Sequence, residues 1–308
     1  MKNIINYFYY TQPSKIHQGN KINYFDLYGF RYYLIKYDGN FNELKKIYNT
    51  HINLLNSGIY VHQIILNKDG QIVTIIDGSP YVMLKAKYYH EIIDYIDIIN
   101  FSNIMMKKDE TYKEWGSLWE EKNDYLEYQI SKLGISHPIL KESFNYYIAL
   151  GETAIQISNM LRDGEFKYYL SHKRVNSNTT LFTFFNPLNL IIDLRVRDIC
   201  EYFKDAFFKN ISPNTHQKNL PFSNINNEII NYLKTTGLTK EEKLMFFARL
   251  LYPTYYFDLF EKIINGISAT NEIKKVISSA NDFEILLKQV YHVIKEDITN
   301  LYIEWLEI

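Results

Sequence analysis

The sequence predicts an α+β protein in which a small antiparallel β-rich part precedes a larger, mainly helical part. Two turn signals in the first 86 residues, Lys68-Asp69-Gly70 and Asp77-Gly78, lie between runs of β-branched residues, which is typical of β-hairpins. After residue 90 the apolar residues recur at helical spacing. The apolar content of 46% is ample for a buried core. We therefore expect a β-rich N-terminal lobe at 1–86 and a helical C-terminal lobe at 87–308.

The N-terminal elements follow from local patterns. Short aromatic-rich runs on both sides of Gly29 predict a β-hairpin over 22–36. Residues 41–58 predict a helix that stops at Ser57-Gly58, and its apolar positions have helical spacing: Leu44, Ile47, Ile52 and Leu55. Three more strands are expected over 60–86. The predicted order is therefore two strands, one helix and three strands.

The C-terminal part contains several amphipathic stretches. They are 90–105, 115–134, 137–161, 198–209 and 238–266, and two more helical stretches follow in the tail. Asp198 lies at the start of its helix, and Thr239 with Glu242 forms a capping-box pattern. Pro253 should end the helix before it. The polar segment 210–226 is predicted to be a surface loop.

Composition excludes several classes of function. With 34 basic and 35 acidic residues the net charge is −1, which provides no overall field for nucleic acid or anionic membrane. The single cysteine, Cys200, rules out an internal disulfide. The eight histidines show no metal-ligand spacing, so no zinc site is predicted. Because the N-terminal stretch is interrupted by polar residues and no apolar run approaches about 18 residues, we expect a soluble, cytoplasmic protein.

Three segments carry a resemblance to a known fold. Tyr33-Leu34-Ile35-Lys36 ends the predicted hairpin, His172-Lys173-Arg174 precedes a polar run, and Val196-Arg197-Asp198 begins a helix. With the order of the elements, they resemble the protein-kinase-like superfamily over residues 20–265. The smaller phosphotransferases are the closer match: aminoglycoside phosphotransferases, choline kinases and the spore-coat proteins of the CotS type. The resemblance implies a two-lobe kinase-like unit.

In the first lobe the resemblance implies a nucleotide site for ATP. Lys36 would reach the phosphates, although an edge-strand lysine is an alternative. The strand 81–85 would be the hinge, where the backbone around Tyr81 and Met83 bonds an adenine ring. The glutamate that pairs with the lysine should fall at 49–51, but Asn-Thr-His stands there and Glu43 lies two turns earlier.

In the second lobe the resemblance identifies a catalytic loop that lacks the residue expected to accept a proton. The family has His-Gly-Asp here, followed five residues later by a metal-binding asparagine. In this chain His172 and Lys173 are followed by Arg174, which cannot accept a proton near neutral pH. Asn178 is a candidate for the metal-binding asparagine, but ungapped spacing gives Thr179. Lys173 and Arg174 could instead bind an anion directly.

The position of the metal-binding aspartate has two alternatives. Counting back from residues 196–198 by the family's spacing gives Asn186, a neutral amide that is a weak Mg²⁺ ligand. In a shifted register Asp193 takes this position, although little chain then remains before the next helix. We expect Asp198 to be a helix N-cap that also binds the catalytic loop.

Two further features are expected to be structural. Arg249 is the only charge in an apolar-aromatic run, and burial would require an acidic partner such as Asp198 or Asp258. Trp115 and Trp119 are four residues apart, which favours a packing pair on one helix face.

The leading functional hypothesis is a degenerate kinase-like protein, a pseudokinase, that binds a protein partner or acts as a scaffold. The resemblance implies a spore-associated or other cytoplasmic role in a low-GC bacterium. One alternative is an active ATP-dependent small-molecule phosphotransferase that uses Lys36, Asp193 and Asp198. Another is a nucleotide-sensing module that binds ATP without Mg²⁺ through Lys36 and Arg174. The sequence does not give the ligand, the partner or the oligomeric state.

Overall fold

The structure is a computed structural model, and the chain divides into two compact units. The described residues are 2–19, 22–109, 112–133, 137–162, 164–210, 220–298 and 301–307. The first unit comprises Met1–Asp94, His172–Arg174 and Asn178–Ile191, and the second comprises Tyr95–Ser171, Val175–Ser177 and Ile192–Ile308. The fold is α+β, as predicted. The division into lobes at residue 86 stays a prediction.

Within the described residues, eight strands form two sheets. They are β1 (Ile22–Leu27), β2 (Phe30–Lys36), β3 (Gln63–Ile65), β4 (Thr74–Ile76), β5 (Ser79–Ala86), β6 (Met105–Met106), β7 (Tyr168–His172) and β8 (Leu190–Leu194). The first five form an antiparallel sheet in the order β1-β2-β5-β3, and β4 also pairs with β5. The other three form a sheet in the order β6-β7-β8. The predicted hairpin and the three later strands of the first unit are confirmed.

Helices make up most of the rest of the described chain. They are α1 (Lys2–Phe8), α2 (Phe41–Asn56), α3 (Tyr95–Phe101), α4 (Trp115–Leu133), α5 (Pro138–Met160), α6 (Leu181–Phe184), α7 (Arg197–Asn210), α8 (Leu220–Thr235), α9 (Lys240–Leu251), α10 (Thr254–Ile264), α11 (Thr270–Ser278), α12 (Ala280–Lys295) and α13 (Glu304–Glu307). The predicted helices are confirmed except that the stretch 90–105 is helical only over Tyr95–Phe101 and ends in β6. Helix α9 ends at Leu251 with Tyr252 as its C-cap, before Pro253, as expected. In the described part of the chain no helix has both the length and the apolar content needed to cross a membrane.

The sheet of the first unit has an apolar layer on each face. Alternation along β5 places Val82 and Leu84 in one layer and Met83 in the other. The α2 residue Leu44 packs in the first layer, and Ile5 of α1 packs in the second. A strand that is apolar on both faces is typical of the centre of a covered sheet.

Three local predictions need correction. Helix α1 was not predicted because no cap or stop signal marks it; its position depends on burial of Ile5, which is 1% exposed. Part of the predicted surface loop, 220–226, belongs to α8, and residues 211–219 lie outside the described residues. Asp198 is the second residue of α7 rather than its N-cap.

The capping box of α9 gives a test of local energetics. The Thr239 hydroxyl accepts a hydrogen bond from the Glu242 amide at 3.1 Å, and the Glu242 carboxylate accepts one from the Thr239 amide at 3.0 Å. Thr239→Ala should therefore lower the free energy of unfolding by about 1 kcal/mol. Thr235→Ala, at an exposed position in the last turn of α8, is the control. Equal urea midpoints for both variants would contradict the capping role.

Candidate functional site

Lys36 is the last residue of β2 and lies opposite Tyr81 of β5. Its ammonium is 3.8 Å from the Asp38 carboxylate, and both side chains are largely exposed. Helix α2 provides a different contact, since its Glu43 lies 3.3 Å from the ammonium of Lys173. Lys36 is therefore a surface cation whose ion pair is formed with a residue of its own loop.

His51 stands in the segment where the resemblance expects a glutamate. It is fully buried, and its Nε2 accepts a hydrogen bond from the Ile64 amide at 3.1 Å. Burial lowers the pKa of His51 to about 4. The neutral imidazole therefore fixes α2 to β3, which is a structural contact and not a partner for a lysine.

The adenine contact expected at Tyr81 and Met83 falls inside a strand that is paired on both sides. Both residues lie inside β5, and each has strand partners on both sides: Lys36 and Thr74 for Tyr81, Leu34 and Ile65 for Met83. Their peptide groups therefore belong to the sheet ladder, and the Met83 side chain is fully buried. A purine base would have to break sheet pairing to bind at these two residues.

The loop after β7 begins with a histidine that is held in place. His172 is 1% exposed, its ring stacks on Phe184, and its Nε2 is 2.8 Å from the Phe184 carbonyl oxygen. Because a carbonyl only accepts, Nε2 must carry the proton. The Lys173 amide donates to the Asn189 carbonyl at 2.7 Å. Arg174 is exposed and makes no hydrogen bond or ion pair with any described residue.

The two asparagine candidates for a metal ligand differ in their surroundings. Asn186 is 6% exposed and caps the short 3-10 turn Pro187–Asn189, where its Oδ1 accepts a hydrogen bond from the Leu188 amide at 3.0 Å. That oxygen is therefore committed to the backbone, and Asn186 is better explained as a cap than as a metal ligand. Asn178 is exposed in the loop after Arg174.

Asp193, at the end of β8, is surrounded by donors of the second unit. Its side chain is 3% exposed. Oδ1 accepts hydrogen bonds from the Trp115 indole N–H at 2.8 Å and the Leu194 amide at 2.7 Å. Oδ2 lies 3.0 Å from the Arg197 guanidinium. Burial raises the pKa of the Asp193 carboxyl, and the charges of Arg197 and Arg249 oppose this effect.

A wider charge network continues from Trp115. The Arg249 guanidinium lies 4.1 Å from the centre of the indole ring, and it donates to the Glu201 carboxylate at 3.0 Å. The ammonium of Lys204 is also 3.0 Å from Glu201. Burial would raise the pKa of Glu201, but Lys204 and Arg249 lower it to about 2.

The network corrects the predicted partner of Arg249. Arg249 is 3% exposed, as expected for a buried charge, but its carboxylate partner is Glu201, not Asp198 or Asp258. Asp198 instead lies 3.2 Å from Arg197. Three cations therefore face three carboxylates in this network: Arg197, Lys204 and Arg249 with Asp193, Asp198 and Glu201.

The donor set around Asp193 does not fit Mg²⁺. Magnesium requires several oxygen ligands in octahedral geometry, whereas Oδ1 of Asp193 already accepts two hydrogen bonds and Oδ2 lies 3.0 Å from the positive guanidinium of Arg197. In the described part of the chain, no three His, Cys, Asp or Glu side chains come together as a possible metal site. A divalent ion at Oδ2 of Asp193 would lie beside the Arg197 guanidinium, whose positive charge opposes it.

Sequence reasoning missed the roles of Trp115, Arg197, Glu201 and Lys204. Helical spacing was an available signal for one pair, because Glu201 and Lys204 are three residues apart. The Trp115 and Trp119 rings are 6.0 Å apart, in agreement with the predicted packing pair. No spacing signal could reveal that Trp115 donates to Asp193, since 78 residues separate them.

Comparisons with known proteins agree with this fold. The family described as "Spore coat putative kinase YutH" matches residues 2–290. The endospore coat-associated protein YutH of Bacillus subtilis (strain 168) is 26% identical over 226 residues, which are 66% of this chain and 64% of that protein. The chain thus spans less than two thirds of that relative's length.

Solved structures are similar in fold at low identity. The aminoglycoside phosphotransferase from Alicyclobacillus acidocaldarius has a TM-score of 0.74 and 8% identity, covering 96% of this chain and 97% of that one. Spectinomycin phosphotransferase, in complex with ADP and spectinomycin, has a TM-score of 0.57 and 12% identity, covering 95% and 97%. The resemblance to this phosphotransferase group and to spore-coat proteins is confirmed.

Proposed function

Because the chain belongs to the spore coat YutH family, we propose that it is a kinase-fold protein that acts by binding a partner, without phosphoryl transfer. The carboxylate of Asp193 carries this proposal, because protein cations and N–H groups surround it where a kinase needs a metal. Its place at the end of β8 favours the register in which Asp193, not Asn186, corresponds to the family's metal-binding aspartate.

Phosphoryl transfer requires metal-bridged phosphates and an oriented nucleophile. The guanidinium of Arg197 lies between Asp193 and Asp198, and its positive charge reduces the attraction of the Asp193 carboxylate for Mg²⁺. Arg174 stands where the family has its catalytic aspartate, and an arginine cannot accept the proton of a hydroxyl substrate. The proton acceptor is therefore replaced by Arg174, and the carboxylate at the metal position is paired with Arg197.

Spore association is part of the same proposal. Its support is the family description and the name of the Bacillus subtilis relative, endospore coat-associated protein YutH. A fluorescent fusion in a sporulating host should concentrate at the developing spore. An even distribution throughout sporulation would contradict this location.

A second candidate is metal-independent nucleotide binding. Arg174 is exposed and forms no ion pair within the described residues, and Lys36 belongs to the same unit. An exposed cation such as Arg174 can bind the phosphates of ATP directly, whereas Lys36 would exchange its exposed contact with Asp38 for a phosphate. Spectinomycin phosphotransferase, which has a similar fold, was solved with ADP, so a nucleotide is a reasonable ligand class.

A titration of thermal stability with ATP and ADP, each with and without Mg²⁺, tests these proposals. We expect no shift that depends on Mg²⁺ and no Mg²⁺-dependent release of phosphate from ATP. A bound ligand at 100 times its Kd would stabilise the protein by about 2.7 kcal/mol, so binding is easily detected.

Two lysine variants distinguish the candidates. A shift without Mg²⁺ that is lost in Lys36→Ala, but kept in the control Lys46→Ala at an exposed position of α2, would support nucleotide sensing. Phosphate release that requires Mg²⁺ and disappears in Asp193→Asn would contradict the proposed function and favour an active phosphotransferase.

A further inference from the structure

A groove in the first unit lies apart from the residues discussed above. Its volume is about 370 Å³, which is within the range of small-ligand sites. The segment that follows α1 forms one wall and the turn between β1 and β2 contributes another. The lining residues used below are Asn6, Tyr10, Thr11, Gln12, Tyr28 and Lys68.

Hydrogen bonds hold the groove in shape. The Lys68 ammonium donates to the Asn6 carbonyl at 2.7 Å, and the Lys68 amide donates to the Phe8 carbonyl at 2.8 Å. The buried hydroxyls of Tyr9 and Thr74 are 2.8 Å apart. These bonds attach α1 and the segment after it to the β3–β4 region, so a ligand would meet a preorganised surface.

Tyr28 is a bulky residue at a turn position where smaller residues are preferred. Its φ is 51° and that of Gly29 is 76°, as in a two-residue hairpin turn where Asn-Gly or Asp-Gly is preferred. A bulky residue at positive φ is strained, yet the ring of Tyr28 is 88% exposed. Strain at an exposed aromatic residue is a reason to look for a ligand contact.

The groove offers neutral polar groups beside aromatic faces. The ring of Tyr10 is 86% exposed. Asn6 Oδ1 and Thr11 Oγ1 are buried and have no hydrogen-bond partner, and Gln12 adds an amide. Unsatisfied buried polar atoms are rare and call for an explanation. Both atoms belong to residues that line the groove.

The ligand class follows from these groups. Lys68 is the charged residue of the lining, and its ammonium is held by the Asn6 carbonyl and lies 5.5 Å from the centre of the Tyr10 ring. The other polar groups of the lining are neutral, as a neutral ligand requires. A saccharide has C–H faces that pack on tyrosine rings and hydroxyls that both donate and accept. A proline-rich peptide also packs on aromatic rings, but prolines have no N–H to donate to Asn6 Oδ1.

We propose that this groove binds a neutral mono- or disaccharide between the rings of Tyr10 and Tyr28, with Asn6 and Thr11 bonding its hydroxyls. The site is independent of the proposed function, because it uses neither Lys36 nor Asp193.

Saturation-transfer NMR on the full chain tests the site. The probes are glucose, galactose, rhamnose, N-acetylglucosamine, cellobiose and N,N′-diacetylchitobiose. At least one should bind the wild type, and Tyr10→Ala and Tyr28→Gly should each weaken its Kd about tenfold or more. The Tyr28→Gly variant is expected to fold, because glycine adopts positive φ without strain, so its binding can be measured. Tyr7→Ala is the matched control, since Tyr7 is 73% exposed and is not part of the lining, and its Kd should equal that of the wild type.

Three outcomes would overturn the proposal. The first is that none of the six sugars binds the folded wild type. The second is that a sugar binds equally well to wild type, Tyr10→Ala and Tyr28→Gly. The third is that a polyproline peptide, but no sugar, binds in a manner that depends on Tyr28. Far-UV circular dichroism of each variant establishes that it is folded before binding is compared.

Discussion

Replacing Asp193 with alanine is expected to lower the free energy of unfolding by about 3–5 kcal/mol. The side chain is 3% exposed and faces the Arg197 guanidinium and the Trp115 N–H. Its removal takes one of two carboxylates from the buried Arg197 guanidinium, which keeps Asp198, and leaves the indole without its acceptor. Urea unfolding at neutral pH measures the loss.

Two variants sharpen this test. Asp193→Asn retains one acceptor oxygen, so its loss should be smaller than that of Asp193→Ala. Asp124→Ala, at an exposed position of α4, should change stability by less than about 0.5 kcal/mol. If Asp193 were instead a metal ligand, its removal would leave the free energy of unfolding unchanged and would abolish Mg²⁺ binding. An Asp193→Ala protein as stable as the wild type would therefore contradict the structural role of the ion pair.

Acid is expected to destabilise the first unit through two buried histidines. His51 and His62 are fully buried, and burial lowers the pKa of each from 6.5 to about 4. Below pH 6.5 the unfolded chain takes up protons at these sites, whereas the folded chain stays neutral there until about pH 4. The free energy of unfolding should therefore fall between these values, by up to about 3 kcal/mol for each histidine.

Urea unfolding across this pH range checks the prediction. The double variant His51→Gln and His62→Gln should lose much of the pH dependence, because glutamine does not titrate. His90→Gln is the control, since His90 is exposed, and it should leave the dependence intact. If the free energy of unfolding changed equally with pH in the wild type and in the double variant, other groups would be the cause of the acid sensitivity.

Local signals predicted much of the fold. The turns at Gly29, Gly70 and Gly78 have the positive φ values that glycine adopts, so the strands around them were predictable from sequence. The Thr239 capping box and the stop at Pro253 are also local and are confirmed. Helix α1 is different, because burial of Ile5 against the sheet holds it, and no neighbour in sequence indicates that contact.

The candidate site was less predictable because its contacts join distant segments. Arg249 was expected to be buried, but its partner Glu201 is 48 residues away, and several acids were equally plausible from sequence. Tyr81 and Met83 were placed at a hinge by resemblance, whereas strand pairing on both sides removes their peptide groups from that role. Charge patterns along a chain show that a cation needs a partner, but they do not identify it.

The most direct test of the central claim is electron paramagnetic resonance of Mn²⁺, which substitutes for Mg²⁺, titrated with the wild-type chain in the presence of ADP. The arrangement of Arg197 and Trp115 around Asp193 predicts that the free Mn²⁺ signal stays unchanged as protein is added. Loss of that signal at one ion per chain, reversed in a folded Asp193→Asn protein, would show that Asp193 binds a metal and that the chain retains the central part of a kinase site.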